Sequence, residues 1–416
     1  METHEHSRSH HEPTAHYQYP KGISSAVGGR IYRGGVLSTQ LAKVPTDFEN
    51  FKAANQAQSQ TGDHHPVDST SHSPLWMVTT EPRLNELFVR LQRLRLELME
   101  RPAAHHELQF SRSHLEEVRL AFANMICHGE EKLHRLCQLI CDSFVASYQI
   151  QSVVIGEVES TQERFTITQG VSAEDLYSTT DIDLGNRQLK KLRFFDGRDW
   201  SKANLVANMV DYQPTEANVY SIHKIISRIK AEQEIWNKVV DEIFDLDSIV
   251  VRDKKLQHLS RYVKDVFGIK IIVGNLDDVH KIHMALVELT WPDVSLEKCQ
   301  IEPAPENRRL HFVEVKDYLT SSQQKQTGWE ALKSVVRWSD KTVEIQIQPL
   351  ANFLHERELL TKESHTSFRA NREQVRNEVA QQIPLFRFYR DLLRWLFLNP
   401  GAPPPEYPGV TLSLVD

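Results

Sequence analysis

The stretch Thr342–Gln348 reads TVEIQIQ and alternates polar with apolar side chains from end to end. Alternation with a period of two is typical of a β-strand that has one apolar and one polar face. We therefore predict a half-buried strand here, with Glu344 on its polar face. This strand decides the fold class, because the segments around it alternate between strand and helix patterns.

A second acid precedes another apolar run. The stretch Lys264–Val273 reads KDVFGIKIIV, so Asp265 lies just before a predicted strand at Ile269–Val273. Two carboxylates on neighbouring strands can share one Mg²⁺ ion, and such an ion organises phosphates. The alternative is that Asp265 and Glu344 are acids at the strand ends of an ordinary α/β chain, with no metal between them.

Composition limits the classes of protein that fit. The chain has 416 residues, 40% hydrophobic and 25% charged, which is ordinary for a globular protein of two or three domains. The net charge of −7 argues against nonspecific nucleic-acid binding over the whole surface, but it leaves room for a local basic cleft. The four cysteines follow no metal or disulfide pattern. Since no apolar run approaches about 18 residues and no signal peptide is recognisable, we expect a cytoplasmic protein without a membrane partner.

Four parts are expected along the chain. Residues 1–75 are rich in His, Ser and Gln and predict a disordered tail, because so few apolar groups cannot offset the entropy of folding. Residues 76–210 predict a mainly helical module with a β-hairpin, and residues 211–398 a mixed α/β domain. Residues 399–416 are rich in proline and predict a terminal coil.

The helical module contains two amphipathic patterns, which predict helices at Glu81–Arg101 and Ser113–Ser147. The segments Ser152–Val158 and Arg164–Gln169 predict the hairpin. A basic patch follows, for which we consider a solvated face or a contact with RNA or phosphate. Its members are Arg187, Lys190, Lys191, Arg193 and Arg198.

The mixed domain begins with a predicted helix at Val219–Phe244. A helix at Asp277–Leu289 follows the Asp265 strand, with Asp277 or Asp278 near its N-cap. The remaining predictions are strands at His311–Val315 and Lys333–Trp338, a long helix at Leu350–Leu398, and coil from Pro400 onward.

Cations on the first of these helices suggest a phosphate site. Arg228, Lys230 and Lys238 span about three turns, so they would present a cationic groove. A triphosphate needs several fixed cations and a metal ion, because its charge must be neutralised when bound and in the transition state. The alternative is a solvated helix face whose lysines pair with neighbouring glutamates.

Taken in order, these pieces resemble the RelA/SpoT-type alarmone synthetase domain over about Asn218–Arg376. The matching pieces are Arg228-x-Lys230, Lys238, Asp265 to Lys270, Lys316-Asp317-Tyr318, Gly328-Trp329, Val343 to Ile347, His355 with His365, and Phe368-Arg369. The resemblance implies an α+β, nucleotidyltransferase-like fold with a mixed sheet flanked by helices. It also implies a pyrophosphokinase that transfers the β,γ-pyrophosphate of ATP to the 3′-hydroxyl of GDP or GTP and releases AMP.

The resemblance also implies roles for individual residues. Asp265 and Glu344 would hold Mg²⁺ and serve catalysis, with Glu344 accepting the hydroxyl proton. ATP would be bound by Arg228, Lys230, Lys238 and Lys270. The acceptor would be bound by Lys316, Tyr318, Lys325, Trp329, Gln346, His355 and His365, with the Trp329 ring stacked on the base.

The chain departs from the family pattern at several of these positions. Lys270 and Gln348 stand where the family has arginines, and Glu234 stands where it has a serine. The acceptor loop, residues 327–331, reads TGWEA in place of NGYQS. Two alternatives therefore stay open: a toxin-like member that modifies the 3′ end of tRNA or adenine nucleotides, and a catalytically silent nucleotide-binding regulator.

No His-Asp dipeptide occurs in the chain, so the metal-dependent hydrolase of the family's long members is not expected. The N-terminal helices would then serve oligomerisation or a regulatory partner.

Overall fold

The computed structural model describes residues 31–33, 81–101, 104–195, 197–229, 232–244, 266–319, 330–362, 376–381, 383–398 and 401–416. They form an α+β fold in which a mixed nine-stranded sheet is flanked by helices, as the sequence predicts. Within these residues, no helix has both the length and the apolar composition that crossing a membrane requires.

The strands are, in chain order, β1 (Ile31–Arg33), β2 (His106–Ser111), β3 (Ser147–Val158), β4 (Arg164–Gly170), β5 (Phe194–Phe195), β6 (Trp200–Ser201), β7 (Ala203–Pro214), β8 (Ile222–Ile229), β9 (Phe267–Val273), β10 (His311–Asp317), β11 (Leu332–Trp338), β12 (Lys341–Pro349) and β13 (Val410–Val415). The helices are α1 (Pro82–Glu100), α2 (Arg112–Phe144), α3 (Ala173–Ser178), α4 (Asp181–Leu189), α5 (Glu232–Ile243), α6 (Leu276–Glu288), α7 (Asp293–Lys298), α8 (Leu350–Lys362) and α9 (Phe386–Leu393). Residues 376–381 are also helical.

The large sheet has the strand order β1-β3-β7-β8-β9-β12-β11-β10, and β4 pairs with β3 beside β1, on the edge of β3 that faces away from β7. Strands β9 and β12 run parallel, and the other neighbours are antiparallel. The boundary expected between residues 210 and 211 falls inside β7, so one sheet carries strands from both sides of it.

The two long N-terminal helices and the hairpin lie where the sequence predicts them. All six apolar positions of the α1 pattern are buried, from Leu84 to Leu98. Helix α2 begins one residue before the prediction, where the Ser111 hydroxyl accepts a hydrogen bond from the amide of His114 at 3.3 Å. It ends at Phe144, because the chain enters β3 at Ser147.

The predicted helix at Val219–Phe244 is wrong in its first half, which forms strand β8 before α5 begins. The spacing of Ile222, Ile225, Ile226 and Ile229 imitates the i, i+3, i+4, i+7 pattern of a helix. Pairing with β7 on one side and β9 on the other overrides that pattern. The β-branched side chains of isoleucine suit the pleated surface of this central strand.

Strand β12 confirms the alternation read from the sequence but not the predicted half-burial. Val343, Ile345 and Ile347 enter the main hydrophobic core, whereas Glu344, Gln346 and Gln348 share the opposite face. That polar face is also buried, because β12 lies between β9 and β11 and α8 follows it directly.

Helix α2 packs closely on the core side of this sheet. A Cβ atom at Gly129 would lie 2.0 Å from the ring of Phe267 on β9, so only glycine allows this approach. Helix α6 starts one residue before the prediction, and its N-cap is Asn275 in place of Asp277 or Asp278. The Asn275 side chain accepts the amide hydrogen of Asp278 at 3.1 Å.

The predicted helix at Leu350–Leu398 is interrupted. Helix α8 ends at Lys362, and α9 starts after Leu385, which has a φ of +69° that a helix interior does not allow. The predicted C-terminal coil is also wrong in part, because β13 pairs in parallel with β2. Its apolar residues pack beside the buried Leu108 and Phe110.

A polar cluster is buried on the core side of the sheet, between α2, α4, β7 and β8. The His134 ring is 3.0 Å from both the Tyr212 hydroxyl and Asp181 Oδ1, and 3.3 Å from the Ser227 hydroxyl. Glu130 joins the cluster by accepting the amide hydrogen of Asp181 at 3.2 Å. We call these five residues the buried polar cluster; each has an exposed fraction of 1% or less.

Candidate functional site

The polar face of β12 is the centre of the candidate site. Strand pairing sets Glu344 opposite Gly268 on β9, and Gly268 opposite Arg228 on β8. Two residues further along each strand, Lys270 on β9 lies opposite Gln346 on β12, and Gln346 lies opposite Lys333 on β11. Residues directly opposite share a face, so these side chains lie on one surface of the sheet.

Gly268 allows Arg228 to cross β9. A Cβ atom at Gly268 would lie 3.3 Å from Arg228 Nε and 3.4 Å from its Cγ, so the arginine side chain occupies the space above the glycine. Arg228 Nη2 then reaches Glu344 Oε1 at 3.5 Å on the strand beyond. The missing side chain at Gly268 therefore lets the Arg228 side chain lie across β9.

Glu344 is a buried carboxylate with cations on two sides. Its side chain is 2% exposed, and it forms ion pairs with Arg228 and Lys333. The side-chain amide of Gln346 donates a hydrogen bond to the same carboxylate. A buried carboxylate stays ionised only when cations and donors of this kind offset its lost hydration.

A second ion pair lies beside the first, between β9 and α8. Lys270 Nζ donates to Glu356 Oε2 at 2.9 Å, and Gln348 Nε2 donates to the same oxygen at 3.2 Å. Burial lowers the pKa of Lys270, and the Arg228 charge lowers it further, against the opposing effect of Glu356. Burial alone would raise the pKa of Glu356, but Lys270, Gln348 and Arg228 together hold that pKa below its usual range.

Of the predicted site residues, Arg228, Lys270, Glu344 and Gln346 come together. Arg228 lies on a strand, which corrects the prediction that it belongs to a helical cationic groove. Asp265, Lys230, Lys325, Trp329 and His365 lie outside the described residues. Lys238 belongs to α5, although its side chain also lies outside the description.

The other predicted acceptor residues lie around this group. Lys316 on β10 is exposed, pairs with Glu314 at 2.8 Å, and lies directly opposite Lys333 in the strand register. Tyr318 follows the end of β10 and is half-buried. His355 is exposed on α8, one residue before Glu356.

Three site residues were missed by the sequence analysis: Lys333, Glu356 and Phe353. Lys333 was counted only as the first residue of a strand, and its role depends on the register that sets it opposite Gln346. Glu356 and Phe353 are three residues apart on α8 and therefore share a helix face. The Phe353 ring centre lies 5.7 Å from Lys270 Nζ. The only sequence signal of this pair is its i, i+3 spacing on the helix that follows the acid strand.

The residues described here fit one half of the predicted Mg²⁺ site. Mg²⁺ is usually held by one or two carboxylates, with phosphates and water as its other ligands. Glu344 supplies one such carboxylate, and the second predicted ligand, Asp265, is not among the described residues. Within the described part of the chain, no three His, Cys, Asp or Glu side chains gather in a way that could hold a metal.

Comparison with protein families identifies the part of the chain that carries this site. Residues 227–359 match the family described as "Region found in RelA / SpoT proteins". The match covers about a third of the chain and includes Arg228, Glu344 and Glu356. This part of the chain is thus a RelA/SpoT-type region, which confirms the resemblance read from its motifs.

Solved structures give weaker likenesses. The small alarmone synthetase 1 from Bacillus subtilis, bound to its product pppGpp, is 17% identical over 40% of this chain and 83% of its own, with a TM-score of 0.21. A protein from Streptococcus mutans UA159 is 18% identical over 39% of this chain and 81% of its own, with a TM-score of 0.20. No curated protein matches this chain.

Proposed function

We propose that the chain is a pyrophosphokinase of the alarmone synthetase type. It would transfer the β,γ-pyrophosphate of ATP to the 3′-hydroxyl of GDP or GTP, giving (p)ppGpp and AMP. The proposal is supported by the RelA/SpoT-type region and by the strand face that this region builds. The single observation that carries it is the buried carboxylate of Glu344 between Arg228 and Lys333.

The reaction needs a base and fixed positive charge. As the acceptor oxygen bonds to the β-phosphorus, the bond from that phosphorus to the bridging α,β-oxygen breaks, and AMP leaves with the bridging oxygen. The hydroxyl proton goes to Glu344 in this scheme. Arg228 and Lys333 would stabilise the negative charge that spreads over the phosphoryl oxygens, because catalysis of phosphoryl transfer is mostly positioning and charge stabilisation.

The two cations of strands β8 and β9 have different freedom to meet a phosphate. The Arg228 side chain is 44% exposed, whereas that of Lys270 is 12% exposed and engaged with Glu356. Arg228 is therefore the cation that substrate phosphates would reach first. Lys270 would act through its pair with Glu356, which connects the sheet to α8.

Glu344 and Asp265 would be the protein ligands of a Mg²⁺ ion in this reaction, since carboxylates are the protein ligands that Mg²⁺ usually takes. When bound, it would neutralise phosphate charge and orient the pyrophosphate. The acceptor nucleotide would be bound by the residues that the resemblance implies: Lys316, Tyr318, Lys325, Trp329, Gln346, His355 and His365.

The test is a transfer assay with purified protein, Mg²⁺ and γ-³²P-ATP, resolved by thin-layer chromatography. GDP, GTP, AMP and deacylated tRNA are offered separately, so the labelled product identifies the acceptor. We expect product with GDP or GTP, and its loss by a factor of about 10² to 10⁴ in Glu344→Gln, the range for removal of a general base. Glu297→Gln on α7 is the matched control, since Glu297 is exposed and lies in the same matched region.

Equal activity of Glu344→Gln and wild type would contradict the role of Glu344. Product with tRNA or AMP alone would replace the guanine-nucleotide assignment by the toxin-like alternative. ATP binding by folded protein without product from any acceptor would favour a silent nucleotide-binding regulator.

A further inference from the structure

A short aromatic hairpin projects beside the first strands of the sheet. Strands β5 and β6 pair antiparallel, with Phe195 directly opposite Trp200. The two ring centres are 5.3 Å apart and their planes are tilted by 46°. Both rings are open to solvent, with exposed fractions of 56% for Phe195 and 70% for Trp200.

The hairpin is anchored, so these rings are presented on a supported element. Phe194 points to the other face of β5 and packs on Phe165 of β4, with ring centres 4.7 Å apart. The Ser160 hydroxyl donates to the Ser201 hydroxyl at 3.0 Å, which joins the hairpin to the turn after β3. Phe194 thus anchors the hairpin on β4, while Phe195 and Trp200 stay largely exposed to solvent.

The segment around the rings is basic, although the chain as a whole is acidic. Residues 187–202, which we call the hairpin patch, contain six lysines or arginines against two aspartates, in a chain with a net charge of −7. All six cations are exposed. They are Arg187, Lys190, Lys191, Arg193, Arg198 and Lys202. The patch therefore combines local positive charge with two exposed π-faces.

We propose that the hairpin patch binds a single-stranded nucleic acid. Bases stack on exposed aromatic faces, and lysine or arginine side chains follow the phosphates between them. Strand β7 begins at Ala203, next to the hairpin patch, and pairs with β8 from Val210 onward. These two residues are roughly 20 Å apart along the strand at the usual rise per residue. The patch is thus separate from the Glu344 face, and the proposal does not depend on the proposed enzymatic reaction.

An anionic membrane surface fits the patch less well. Interfacial binding grows with the apolar area that enters the lipid, and it is typical of an amphipathic helix with a long apolar face. In this segment Phe195 and Trp200 are the only large apolar side chains that the structure shows as exposed. Two rings bordered by six cations match the alternation of base and phosphate better than they match a lipid surface.

The test is fluorescence anisotropy of the full chain with labelled oligonucleotides of roughly 20 nucleotides, longer than most such sites need. Oligouridine RNA and oligothymidine DNA are titrated separately, without ATP, and the tighter of the two identifies the natural source. Trp200→Ala should weaken binding about tenfold, and Trp200→Phe should retain most of the affinity because it keeps a stacking face. The double variant Lys190→Glu/Lys191→Glu should weaken binding and reduce the salt dependence by about 0.7 in log–log slope for each lost phosphate contact.

Val219→Ala is the control for loss of exposed apolar surface, since Val219 is 76% exposed and lies outside the patch. It should bind like wild type. Affinity that is unchanged in both Trp200→Ala and the charge-reversal variant would overturn the proposal. The proposal would also be overturned if neither oligonucleotide bound and the wild type instead bound phosphatidylserine vesicles, with that binding abolished in these variants.

Discussion

Glu130, in the buried polar cluster, offers a sharp test of how this fold holds a carboxyl group away from water. Its side chain is 1% exposed and accepts one hydrogen bond, from the amide of Asp181. Burial, with added repulsion from Asp181 and Asp183, raises the pKa of Glu130 to about 9. The carboxyl group is therefore protonated in the folded protein at neutral pH.

The effect on stability follows from the difference between folded and unfolded states. The pKa of an unfolded glutamate is about 4.3, so between that pH and about 9 the folded chain keeps a proton that the unfolded chain has released. Stability is then lost as the pH rises through this window, by about 1.4 kcal/mol for each pH unit. Below the window both states are protonated and the contribution is constant.

Glu130→Gln removes this titration and keeps the size of the side chain and an oxygen that can accept the Asp181 amide hydrogen. The difference in free energy of unfolding between the variant and wild type should shift in the variant's favour by about 3 kcal/mol from pH 6 to pH 8. Urea unfolding at pH 6, 7 and 8 and constant ionic strength measures the gain. Ser143→Ala on the same helix removes two hydrogen bonds but no titrating group, so its difference from wild type should not change with pH.

A difference between Glu130→Gln and wild type that stays constant from pH 6 to pH 8 would refute this reasoning. It would mean that Glu130 is ionised in the folded protein, and that the buried polar cluster contains a neutralising charge near Glu130 that its described contacts do not include.

Two further predictions concern the candidate site. Gly268→Val should move the Arg228 side chain away from Glu344 and lower transfer activity by about a hundredfold, the scale for a displacement near 1 Å. Gly268→Ala should lower the activity less. Equal activities of the two variants in the chromatographic assay would exclude the crossing of Arg228 over Gly268. Lys270→Met should lower the free energy of unfolding by about 1–3 kcal/mol in urea, because Glu356 loses its charged partner. As the pH falls through the lowered pKa of Glu356, the wild type should lose this stabilisation and the variant should not. Adding Glu356→Gln to Lys270→Met should restore part of the stability. No recovery in the double variant would count against the ion pair.

The sequence predicted those parts of the fold whose signal is local. The apolar stripe of α1 and the alternation in β12 are both determined by side chains a few residues apart. Strand β8 was misread because its isoleucines are spaced as in a helix, and only the neighbouring strands β7 and β9 show that it belongs to a sheet. Strand β13 was missed because its partner β2 is distant in the sequence.

The candidate site shows the same limit. Glu344 and Arg228 were found because motifs carry them, but the side-chain contact between them depends on Gly268, which lies opposite both. Lys333 has no motif of its own and is identified only by its register with Gln346. The contact between the Phe195 and Trp200 rings likewise depends on a pairing of two-residue strands that is too short to leave a periodic pattern.

The pairing of β2 with β13 has a consequence for how the chain is made. On the ribosome, His106–Ser111 is synthesised about 300 residues before Val410–Val415, so at roughly 5–20 residues per second β2 waits some 15–60 seconds for its partner. During that interval the edge of β2 that later pairs with β13 lacks this partner strand, and an unpaired strand edge can pair with other chains. We expect the newly made protein to need a chaperone at this strand until Val410–Val415 emerges.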